Sequence, residues 1–154
     1  MSRRWLTLVL LLPALGLVTT GCGEDKKESF KKDYKAVNDR LLVLGNDLAA
    51  ALRGARKQRD AQLQATFAKL GDRADKIKQD LSALEPPDEL KSDTQELRTS
   101  FGKVRDDLRG IEDAARAHSG TQARTAARAL VADATKVRSP RRALARATGA
   151  KITG

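Results

Sequence analysis

The chain has 154 residues, enough for one ordinary domain, and carries a net charge of +10 from 30 Lys+Arg against 20 Asp+Glu. One cysteine and one histidine exclude an internal disulfide and argue against a zinc cluster or a Glu-x-x-His di-iron site. Aromatics are 3% of residues, so any core must be built from Leu, Val, Ile and Ala, a composition close to long helices and coiled coils.

The first element is a targeting segment. Ser2-Arg3-Arg4 is a positive start, Trp5 to Val18 is apolar apart from Thr7, Pro13 and Gly16, and Thr19-Thr20-Gly21 is small and polar. That three-part layout is a secretory signal, and its apolar run is short of the ~20 residues that span a bilayer. Gly21 followed by Cys22, the sole cysteine, resembles the lipobox of bacterial lipoproteins, although Thr19 stands where that family usually has Leu, Val or Ile. The resemblance implies cleavage between Gly21 and Cys22, acylation of Cys22, and a place on the outer face of the cell membrane. With the apolar periodicity and the charge pattern, the expected division is a signal peptide (1–21), a lipidated tether (22–27), a helical bundle (28–137) and a basic, partly helical C-terminal segment (138–154). Ser2-Arg3-Arg4 also resembles a twin-arginine signal, but Thr7 interrupts its apolar pair, and Sec export is the default.

Three segments then repeat a 4-3-4-3 apolar spacing: Phe30-Tyr34-Val37-Leu41-Leu44-Leu48, Leu63-Phe67-Leu70-Ala74-Ile77-Leu81-Leu84, and Leu90-(Thr94)-Leu97-Phe101-Val104-Leu108-Ile111-Ala115. An average of 3.5 is the seam of a bundle helix, and no strand alternates this way. A fourth seam, Ala123-Ala127-Leu130-Ala134-Val137 and then Leu144, is mostly alanine and buries less.

The breaks set the turns. Gly54 to Gln58 interrupts the first seam, leaving open whether residues 26–84 form two helices or one. Pro86-Pro87 ends the second helix and opens the third, with Asp88 and Glu89 at its positive end. Gly120 reads as a C-terminal glycine with Thr121 as the next cap, and Ser139-Pro140 as a cap and first-turn proline that kinks or splits the fourth helix. Folding at these breaks brings the seams together, and the expected fold is an all-α, up-down-up-down antiparallel bundle with three strong helices. The Leu84-Glu85-Pro86-Pro87 turn is loosely similar to the L-x-P-P turns of small helical lipoproteins of high-GC bacteria, which implies no activity.

No catalytic constellation stands out. Ser29-Phe30-Lys31-Lys32 fits S-x-x-K, but the S-D-N and K-T-G motifs that accompany it in penicillin-recognising enzymes are missing. His118 falls at a helix end, and no phosphate loop occurs. The expectation is therefore a non-enzyme with no metal or cofactor.

Charge is the remaining signal. Residues 24–118 carry 20 basic and 19 acidic side chains, whereas 119–154 carry eight basic and only Asp133 acidic. Export keeps this end from nucleic acid. Four passes return it to the membrane beside Cys22, so Arg138, Arg141, Arg142, Arg146 and Lys151 are expected to face anionic headgroups. The expected function is a membrane-anchored envelope scaffold or protein-interaction module. The alternative is a binder of anionic lipid headgroups or wall polymers through that basic end.

Overall fold

A computed structural model describes residues 22–152; the signal segment, with Gly21, lies outside the described residues. Four helices account for nearly all of them: α1 (Cys22–Gly54), α2 (Asp60–Ala83), α3 (Lys91–Arg116) and α4 (Gly120–Thr148). Among the described residues there is no strand, and no helix is long and apolar enough to cross a membrane.

The helices pack against one another, most extensively α3 with α4 and with α2. Every seam residue of α1 and α3 is buried, and so is every one of the second seam except the half-buried Leu63. On α4 only Leu130 and Leu144 of the seam are fully buried, while Ala127, Ala134 and Val137 are partly covered. Burying a leucine stabilises by about 1.5–3 kcal/mol, so the alanine-rich helix is the most weakly held by its seam.

The turns use chemistry specific to each junction. α1 and α2 are separate: a 3-10 turn (Ala55–Lys57) and two extended residues, Gln58 and Arg59, stand between them. The Arg59 N–H donates to Gln62 Oε1 at 3.2 Å, half of a capping box. α2 ends as Leu84 turns extended, and Arg98 of α3 donates to the carbonyls of Leu81, Ser82 and Leu84 at 2.8, 3.3 and 2.6 Å. Those carbonyls lack helical donors, and the guanidinium supplies both hydrogen bonds and the charge their dipole favours.

Two expected caps are corrected. α3 ends with His118, not Gly120, in the left-handed region at φ 51°. The Ser119 and His118 N–H groups reach back to the carbonyls of Ala114 and Ala115, a Schellman closure that fixes the turn one step early. Ser119, not Thr121, then caps α4 by accepting from the Gln122 N–H. The second correction lies at Pro140. α4 runs unbroken from Gly120 to Thr148, so Ser139-Pro140 does not start a new helical piece. Proline costs a helix interior about 3 kcal/mol. Here its ring is fully buried, and Leu144, Ala145 and Thr148 beyond it are buried too, so packing offsets the missing N–H.

Candidate functional site

Polar contacts tie the start of α1 to the turn after the prolines, and the middle of α1 to the end of α4. Lys27 Nζ lies 3.1 Å from Glu89 Oε1. The Tyr34 hydroxyl donates to the Arg141 carbonyl at 2.9 Å, and Asn38 Nδ2 donates to the Lys151 carbonyl at 3.0 Å. After Thr148, Gly149 takes φ 68° and the chain folds back along α4. Cys22 is the first residue of α1.

The five basic residues singled out in the sequence do not form a single surface. Arg138, Arg142 and Arg146 recur every fourth residue on α4 and are exposed. None of them has an acidic partner among the described residues. Asp133, the one acid of this end, pairs with Lys136 at 2.7 Å and is only 15% exposed. Lys151 is exposed while its carbonyl is held by Asn38. Arg141 differs: it is 7% exposed, and its guanidinium donates to Asn38 Oδ1 and to the Ile152 carbonyl, both at 3.2 Å. Burial first, then the neighbouring Arg142 and Arg138 charges, hold its proton affinity below the usual arginine value. Buried charges are ordinarily paired, and among the described residues this one meets only neutral acceptors.

Beside these arginines α1 and α4 part, leaving an open groove of about 350 Å³. Phe101 and Val104 of α3 form its floor, and its walls include Leu44 and Leu48 of α1 with Leu130 and Ala134 of α4. Arg138, Arg141 and Arg142 line it near Leu41, and among the described residues no acidic side chain lines it. Gly45 lies on its α1 wall, where an added Cβ would meet nothing within 4 Å. Sequence reasoning missed Asn38, which is off the seam, and missed the groove, because the seams say which residues face inward and not how far apart two helices stand.

The remaining electrostatics tie helices together. Arg105 and Arg109 of α3 converge on Asp75 of α2, and Arg109 also reaches Asp72 and Glu112. The Arg105 and Arg109 guanidinium groups hold the Asp75 carboxyl below the usual range. Asp107 shifts the other way: burial, then the charges of Asp133 and Asp106, push its carboxyl up, and its Oδ2 is buried with no donor. His118 is an exposed partner of Asp60 at 2.8 Å, its side chain 78% accessible. Among the described residues no three His, Cys, Asp or Glu side chains are grouped as a metal site.

No family model, curated protein or solved structure matches the chain.

Proposed function

We propose that this chain is a lipid-anchored, extracytoplasmic lipoprotein: a non-catalytic envelope interaction bundle standing on an anionic membrane surface. The observation that carries the reading is the exposed row of Arg138, Arg142 and Arg146, which has no acidic partner among the described residues and lies on the helix whose end hydrogen-bonds to Tyr34 and Asn38 of α1. Acyl chains on Cys22 anchor the start of α1. The arginine row, with Lys151, adds contacts worth about 1 kcal/mol per basic residue near anionic headgroups. An acyl chain together with a basic patch holds where a single chain is marginal.

The proposed topology is up-down-up-down antiparallel. Its support is the order of the ion pairs: Arg40 meets Asp80 and Asp47 meets Arg73, while Arg105 meets Asp75 and Arg109 meets Asp72. In each pair of contacts one number rises as the other falls. This order lets the rest of the bundle stand away from the membrane and face envelope partners.

Two measurements test the reading. Mass spectrometry of the cell-derived protein is expected to show a chain beginning at acylated Cys22; an unmodified thiol there removes the anchor. Co-sedimentation of an unacylated Cys22→Ser protein is expected to favour anionic over neutral vesicles and to weaken with salt. Equal binding to both removes the basic row from the function.

A further inference from the structure

We propose that the groove between α1 and α4 is a binding site for a single-chain anionic amphiphile, a long-chain fatty-acid carboxylate. This goes beyond the surface role of the arginine row and does not depend on acylation of Cys22.

The first argument is shape. The apolar wall of α1 from Leu41 to Leu52 runs ~16 Å at 1.5 Å per residue. That is close to one leaflet's depth, half of a ~30 Å hydrocarbon core, so one acyl chain lies along it. The volume of about 350 Å³ falls within the range of small-molecule sites, about 300–1,000 Å³.

The second argument is charge. Three arginines line one end of the groove, the rest of its lining is largely apolar, and among the described residues no carboxylate answers them. Arg141 is buried there with two neutral acceptors. A carboxylate head at this end pairs with guanidinium groups in the geometry they favour, and the tail then runs toward Leu52.

The third argument is Gly45. Glycine inside a helix costs about 1 kcal/mol relative to alanine, yet no neighbour occupies the space a side chain would fill. Close packing does not call for glycine here. A bare backbone keeps the wall of the groove open.

Calorimetric titration of the full-length protein tests this, using monomeric tetradecanoate below its micelle concentration. One tetradecanoate per chain is expected. Tetradecyltrimethylammonium, with the same tail and the opposite head, is expected to bind at least about tenfold more weakly, and acetate not at all. Gly45→Leu fills the groove and is expected to weaken tetradecanoate at least about tenfold while the melting temperature holds or rises. Thr135→Leu, from the facing helix, repeats the test should the first variant fold poorly. Arg138→Ala with Arg142→Ala is expected to lower affinity about tenfold, chiefly for the anionic head. The proposal is overturned if the cationic amphiphile binds equally well or if neither leucine variant matters. It is also overturned if light scattering shows a dimer that the groove-filling leucine variants break.

Discussion

Asn38 of α1 and Arg141 of α4 are joined through one amide, whose oxygen accepts from the guanidinium while its nitrogen holds the Lys151 carbonyl. Asn38 is fully buried, so a single side chain binds α1, α4 and the returning C-terminal strand of backbone. Asn38→Ala withdraws one of two acceptors from a buried cation and the donor from a carbonyl. A loss of about 1–3 kcal/mol in urea unfolding is expected. A change within a few tenths would mean that water replaces the amide.

Arg98 is expected to matter through the end of α2. Arg98→Met keeps much of the packing but leaves the carbonyls of Leu81, Ser82 and Leu84 without their shared donor. Destabilisation of about 1–2 kcal/mol is expected, with faster amide exchange in the last turn of α2. Arg98→Lys recovers only part of it, since an ammonium lacks the planar fork.

Two aspartates give opposite pH responses. Asp75 has a lowered folded value, so its contribution is complete above its unfolded value near about 4 and fades as pH falls through the folded one. Asp75→Asn is expected to destabilise by about 1 kcal/mol at neutral pH, less at strongly acid pH. Asp107 has a raised folded value, so folding takes up a proton there and stability declines as pH rises from about 4 through that value. Asp107→Asn is expected to stabilise by about 1 kcal/mol at neutral pH, an advantage that disappears in acid. Parallel urea titrations of both variants across pH check the two signs together.

Gly45→Ala is expected to raise stability by about 0.5–1 kcal/mol, because the helix gains a better former and the new methyl meets nothing. Thermal unfolding reads it directly. A loss of stability would show that this stretch of α1 needs glycine for its backbone.

The seams were legible because burial on one face leaves a period, and the period survives wherever the helix is regular. What was illegible lay at interruptions. Pro140 looks like a helix start, and reading it so hides a simple continuation: Leu130, Ala134, Val137, Arg141, Leu144 and Thr148 keep the same 4-3-4-3-4 spacing. On that unbroken seam Arg141 and Thr148 fall at core positions, where both are in fact buried. Composition assigned Arg141 to the surface because arginine is rarely buried alone. The signal that corrects it is helical phase carried through a proline. His118 in the left-handed position left no comparable trace, since glycine two residues later is the better candidate on steric grounds. The groove was invisible for another reason: it arises where α1 and α4 separate, and a periodic seam says which residues face inward but not how far apart two helices stand.

The guanidinium of Arg109 lies across Gly71, where a β-carbon would stand 2.9 Å from Cζ. It is held there by Asp72, Asp75 and Glu112. Positions 71 and 109 are therefore not free to drift independently. A lineage that shortens Arg109 first opens Gly71 to alanine or serine, whereas the reverse order makes the Arg109 guanidinium swing off its carboxylate partners. Descendants of this chain are expected to record that order as paired change at the two sites.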